Sequence, residues 1–227
     1  MRRRLFLLAA LLVYALSPNR LVSAEDSWEA AISAFEAQDR ETRPKPGVIV
    51  FTGSSSIRGW ASLAEDFAPL AVVNRGFGGS QIEDAVRYAE RIVIPYKPSR
   101  VVLYSGDNDI WAGKKAETVA EDFRKFAAKV RAALPGVPVY FITIKPSISR
   151  WAAWPEMKKA NALVKRFAAE APGVEYINIA TPMLGSDGKP RPELFAEDGL
   201  HLNAAGYKLW TSIVKPLLTE PVKNGTK

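Results

Sequence analysis

The 227-residue chain contains no cysteine and one histidine, His201. Without thiols there is no disulfide, no cysteine nucleophile, no thiolate metal site and no lipid-modified cysteine. Zinc draws on cysteine and histidine ligands, so no zinc site is expected, and no other metal is called for. Asp107, Asp109 and Asp198 suit a hard cation by residue type, but their spacing does not demand one. If the protein moves protons with an imidazole near neutral pH, His201 is the imidazole. Nucleotide loops are also missing. Gly188-Lys189 runs into Pro190 rather than a Ser or Thr, and Gly76-Phe77-Gly78 lacks the third glycine of a dinucleotide loop because position 81 is Gln81. There is no low-complexity tract and no internal repeat.

Long hydrophobic runs are equally scarce. The longest apolar run, Leu5 to Leu16, falls short of the roughly 20 residues of a membrane span. It follows Arg2-Arg3-Arg4 and precedes Pro18 and the small residues Val22-Ser23-Ala24, so residues 1–24 read as a secretory signal cleaved after Ala24. A mature protein without a stable membrane span, periplasmic or secreted, is the expectation. The formal charge of +7 includes Arg2, Arg3, Arg4 and Arg20, so the mature chain carries only a small excess. No basic stripe interleaved with aromatics remains, and no nucleic-acid partner is expected.

What is present is alternation. Val48–Thr52, Ala71–Asn74, Arg100–Ser105, Pro138–Ile144 and Val174–Ile179 are short β-branched runs of the kind buried on both faces of a parallel sheet. Between them lie helical stripes. Trp28, Ile32 and Phe35 mark a helix over residues 25–41, joined by a Pro-rich connector to residue 46. Ser80 and Glu83 predict a capping box opening a helix to Ile94. Val119, Phe123, Phe126 and Val130 mark another; Met157, Val164 and Phe167 a weaker one; Tyr207, Trp210 and Val214 the last, with Pro216 expected to distort its final turn. The pattern predicts one domain over residues 25–227, a three-layer α/β/α sandwich on a mainly parallel five-stranded sheet. Ligands of such sheets sit beyond the carboxyl ends of the strands.

Those strand ends carry the chemistry. After the first comes Gly53-Ser54-Ser55-Ser56, after the second Gly78-Gly79, after the third Gly106-Asp107-Asn108-Asp109, and near the C-terminus Asp198-Gly199-Leu200-His201. A carboxylate three residues before an imidazole can orient it. A serine supplies a nucleophile, while a glycine N–H and an asparagine amide can hold an oxyanion. Taken singly, each has a plain structural role: helix cap, turn, Asx-turn, loop acid. The residues alone leave three serines open as the nucleophile.

The four blocks, in this order from 53 to 201, resemble the SGNH hydrolase superfamily of GDSL-type esterases and lipases. The G-x-N-D and D-x-x-H blocks are met in full. The resemblance implies a flavodoxin-like sandwich and hydrolysis of short-acyl carboxylic esters without a cofactor. It implies Ser55 as nucleophile, His201 as base and Asp198 as its orienting acid. Ser55 N–H, Gly79 N–H and Asn108 would form the oxyanion hole. One position departs from the family: Ser54 stands where GDSL relatives carry aspartate.

Substrate contacts are expected from the loop after the fourth strand, which overhangs the site. Trp151 and Trp154 are candidates for an apolar or sugar-stacking wall or for packing onto the next helix. Arg150 can meet an anionic group, and Trp111 lines either pocket or core. A small-molecule, carbohydrate or lipid ester fits. A lysophospholipase or thioesterase with the same site is the alternative, as is a non-catalytic carbohydrate- or lipid-binding protein on this scaffold.

Overall fold

The computed structural model describes residues 28–221, so the expected signal at 1–24 and the first residues of the predicted opening helix lie outside it. Five strands form one parallel sheet: β1 (Ile49–Gly53), β2 (Val72–Gly76), β3 (Arg100–Tyr104), β4 (Val139–Ile142) and β5 (Val174–Ile177), in the order β2-β1-β3-β4-β5. All five expected strands are present, with every end within two residues of its expected place.

Alternating residues of the strands feed two separate cores. Val50, Val101, Leu103, Val139 and Phe141 pack under α1 (Glu29–Glu41), α4 (Ile82–Ile92), α6 (Ala116–Ala133) and α7 (Trp154–Glu170). Ile49, Phe51, Val102, Tyr104 and Ile142 face α2 (Ser55–Arg58), α3 (Leu63–Phe67) and α8 (Ala204–Thr219). A strand side chain switches face at every residue, so a run that is apolar throughout must be covered twice. The second core is dominated by rings: Trp60 meets Phe51, Phe67, Tyr207 and Trp210. Fully burying each such side chain contributes about 1.5–3 kcal/mol.

One helix expectation changes. The start of α4 lies one residue later than the Ser80–Glu83 box. Gln81 is its N-cap, and its N–H donates to Asp84 at 2.8 Å. Ser80 is committed elsewhere, its hydroxyl to the Phe77 carbonyl and its own carbonyl to Asn108. α8 runs three residues past Pro216, to Thr219. Its start is as expected: the Asn203 side chain accepts the Ala205 and Gly206 N–H groups.

The strand order puts β2 on one side of β1 and β3 on the other. The chain therefore leaves the carboxyl ends of β1 and β3 in opposite directions, and a crevice opens between them. α5 (Asp107–Trp111) follows β3 directly into that crevice.

Candidate active site

Ser54 N–H donates to the Tyr104 carbonyl at 3.0 Å, which extends the β1–β3 ladder by one step. The chain then turns into α2, and the three serines part company. Ser54 is fully buried, and its hydroxyl has no partner among the described residues. Ser56 is also buried and accepts from Lys145 Nζ at 3.2 Å. Ser55 is half-buried, with its Oγ 3.0 Å from His201 Nε2.

The opposite edge of the imidazole meets Asp198. Nδ1 lies 2.5 Å from Asp198 Oδ2, and Asp198 Oδ1 accepts the backbone N–H groups of Leu200 and His201, each at 2.9 Å. The hydrogen bond from His201, then those from the two backbone amides, hold the Asp198 carboxyl down at about 2. An ionised carboxylate only accepts, so Nδ1 carries the proton and Nε2 is left to accept from Ser55. Serine, imidazole and carboxylate thus form one continuous chain across 146 residues of sequence. Such a chain can take a proton from a hydroxyl as it attacks, and return it to a leaving group. His201 is 41% and Asp198 49% exposed, so this relay stands at the surface and admits a bulky reactant.

The glycine and asparagine blocks border the same crevice. Phe77 N–H donates to the Gly53 carbonyl, and a Cβ on Gly76 would come within 2.3 Å of Arg58 N. The second loop therefore lies flat against α2. Neither Ser55 N–H nor Gly79 N–H donates within the described residues. Asn108 is oriented from both ends. Its Nδ2 donates to the Ser80 carbonyl at 2.9 Å, and its Oδ1 accepts from Arg150 Nη1 at 2.9 Å. With Oδ1 held by a cation, the amide cannot exchange its two ends without losing both bonds.

Beneath these loops lies a cluster that sequence reading passed over. Lys145 is 1% exposed, and its Nζ reaches Ser56 Oγ, Tyr104 OH at 3.0 Å and Asp107 Oδ2 at 3.2 Å. Burial alone would raise the Asp107 carboxyl, but Lys145 and then Arg150 outweigh it and leave it below its ordinary value. Burial and the Asp107 charge push Tyr104 well above its ordinary value. The signal for Lys145 was available: it follows the fourth strand, where the strand-end rule places site residues. The Asp107, Asp109 and Asp198 carboxylates do not converge. Asp107 pairs with Lys145, Asp109 accepts the Ile82 N–H and faces Lys114, and Asp198 holds His201.

Of the expected wall residues, Trp151 lines a cavity of about 580 Å³ with Ile148 and the turn from Gly185 to Glu193. Ile148 N–H and Ser149 N–H donate to the Gly199 carbonyl, so this wall is continuous with the Asp198–His201 turn. Trp154 takes the other role weighed for it, packing onto the next helix: it is buried in the core under α7 and backs Trp151 by stacking, 6.1 Å between centroids at 16°. A side chain that opens α7 with Pro155 must turn inward, as Met157 and Ala160 do. Arg150 spends its charge on Asn108 and Asp107, and its guanidinium covers the Trp111 ring at 5.4 Å. Trp111 itself is 55% exposed and so belongs to neither core.

The sequence pattern of the GDSL-like lipase/acylhydrolase family matches residues 41–209. The chain belongs to that family. It is an ester hydrolase of the SGNH type. Solved structures share its fold at low identity. A Streptococcus pneumonia protein is 20% identical with a TM-score of 0.76, covering 86% of this chain and 94% of its own. A GDSL-like lipase from Bacteroides thetaiotaomicron is 20% identical with a TM-score of 0.71, covering 83% and 97%. A carbohydrate esterase family 3 protein from Talaromyces cellulolyticus is 17% identical with a TM-score of 0.62, covering 79% and 100%. Among curated proteins nothing matches this chain.

Proposed function

We propose that this acylhydrolase is a serine esterase that removes short acyl groups from a bulky alcohol, a carbohydrate being the preferred class, outside the cytoplasm. The observation that carries the reading is the unbroken contact from Ser55 Oγ through His201 to Asp198. Ser55 Oγ attacks the ester carbonyl carbon and gives its proton to His201 Nε2. The carbonyl oxygen becomes an oxyanion held by Ser55 N–H, Gly79 N–H and the Asn108 amide. The intermediate collapses, the C–O bond breaks, and the alcohol leaves with the proton from His201. Water then attacks the acyl-enzyme, again losing a proton to His201. The carboxylic acid departs, and Ser55 recovers its proton. Asp198 keeps the imidazole in one tautomer and offsets its charge in both halves.

Support for a bulky alcohol comes from the exposed relay and from the Trp151 cavity beside it. An aromatic face next to polar rim groups such as Asp187 and Arg191 suits a sugar ring. The export reading rests on the basic, apolar and small-residue order of residues 1–24. Mass spectrometry of exported protein should place the mature N-terminus at Glu25; an intact Met1 would sink it.

The chemistry is tested by turnover of a panel of esters that vary acyl length and alcohol. Acetylated oligosaccharides should be the best substrates, and Ser55→Ala and His201→Ala should each lose about 10⁴-fold or more in kcat while staying folded. A preference for lysophospholipids or thioesters would move the substrate class without moving the residues. Full activity in Ser55→Ala would overturn the assignment.

A further inference from the structure

α1 is held to the domain by charge. Arg91 pairs with Glu29 and Glu36 at 2.7 Å each, and Arg75 and Tyr96 both bond Asp39. At the amino end of this helix Trp28 packs edge-on against Phe77, and its indole Nε1–H donates to the Gly78 carbonyl at 2.9 Å. That carbonyl belongs to the same amide as the Gly79 N–H. A peptide group is planar and trans, so its C=O and N–H point in opposite directions. Whatever holds the Gly78 oxygen toward α1 therefore aims the Gly79 hydrogen away from α1.

An amide between two glycines has little else to hold it. No Cβ on either side resists rotation of the peptide plane, Gly79 sits at φ +82°, and a Cβ there would meet nothing within 4 Å. A rotated amide would turn its carbonyl oxygen, not its hydrogen, toward the developing oxyanion. On the reading that Gly79 N–H is an oxyanion donor, we propose that Trp28 is a positioning residue. Its indole N–H locks the Gly78–Gly79 amide in the donating orientation and, by drawing on the carbonyl, makes the N–H a stronger donor. Trp28 lies ahead of residues 41–209, the stretch that matches the family. α1 is thereby a working part of the site.

The experiment compares Trp28→Phe with Ile32→Val on the full chain, using a short-chain nitrophenyl ester. Phenylalanine keeps the ring beside Phe77 and removes only the donor. Ile32 is fully buried one turn further along, so its shortening loosens the packing of α1 without removing a hydrogen-bond donor. Losing an oxyanion donor outright costs about 10²–10³ in kcat, and losing its support should cost about 3- to 10-fold. Trp28→Phe should show that fall in kcat with KM unchanged, the same fall in its rate of inactivation by a phosphonate that mimics the tetrahedral intermediate, and an unchanged melting temperature. Ile32→Val should keep kcat. Wild-type kcat in Trp28→Phe would overturn the proposal, as would an equal loss in both variants. Failure of the underlying reading has a different signature: an ester in place of the Gly78–Gly79 amide, which deletes the N–H without forcing φ away from +82° as proline would, would retain full kcat.

Discussion

Ser54, Ser55 and Ser56 carry the same hydroxyl into three different surroundings. One is buried with no partner among the described residues, one faces an imidazole, and one is tied to a buried ammonium. An unpaired buried hydroxyl costs free energy, so Ser54→Ala should leave kcat within twofold of wild type and raise stability by up to about 1 kcal/mol in a urea titration. A loss of activity in Ser54→Ala matching that of Ser55→Ala would move the nucleophile. The sequence narrowed these residues unevenly. Asp198 and His201 were legible as a pair, because three residues across a glycine turn is local geometry. Which serine His201 faces was not legible bottom-up, because it depends on the direction in which β1 ends and α2 begins. Lys145 and Arg150 follow the fourth strand, but their roles depend on Asp107 and Asn108, some 40 positions away. Trp28 was read as one member of an apolar stripe, and nothing local to it announces a bond to Gly78, 50 residues on.

At the scale of elements, the crevice depends on how closely β1 and β3 end together. Gly53 holds φ +122°, and a Cβ there would fall 1.9 Å from the Tyr104 carbonyl oxygen. That atom is backbone in the middle of a sheet and cannot swing aside. Gly53→Ala must therefore part the two strands or rotate the turn into Ser55. It should lose several kcal/mol and most of its turnover, read by thermal melting and ester hydrolysis of whatever folds. A melting temperature within a degree of wild type would show that the strand ends have slack. The inner strands β1, β3 and β4 were easy to read as apolar, β-branched runs buried on both faces, whereas the edge strands β2 and β5 are partly exposed. The α4 cap was misplaced by one residue because Ser80 obeys the capping pattern locally but is drawn to Phe77 and Asn108 instead. Tertiary partners overrode a local preference of about 1 kcal/mol.

Across the whole molecule, the carboxylates divide into two groups with opposite responses to acid. Asp198 and Glu29 are held at about 2, the first by His201 and the second by Arg91. For these, the unfolded chain takes up a proton first, so their stabilisation is present above pH 4 and fades as the pH falls toward 2. Asp109 behaves in the other sense. Burial raises it to about 6, against the pull of the Ile82 N–H and Lys114. Between its ordinary 3.8 and 6 the folded protein holds a proton that the unfolded chain lacks, so this residue adds stability as pH falls through that window and loses it as pH rises. The swing is on the order of 2–3 kcal/mol. Asp109→Asn, which keeps an acceptor for Ile82 and cannot ionise, isolates this residue. Its melting temperature relative to wild type should drop by about 5–10 °C between pH 7 and pH 4, as the wild type recovers its proton. A constant melting difference across that range would mean that Asp109 does not titrate there.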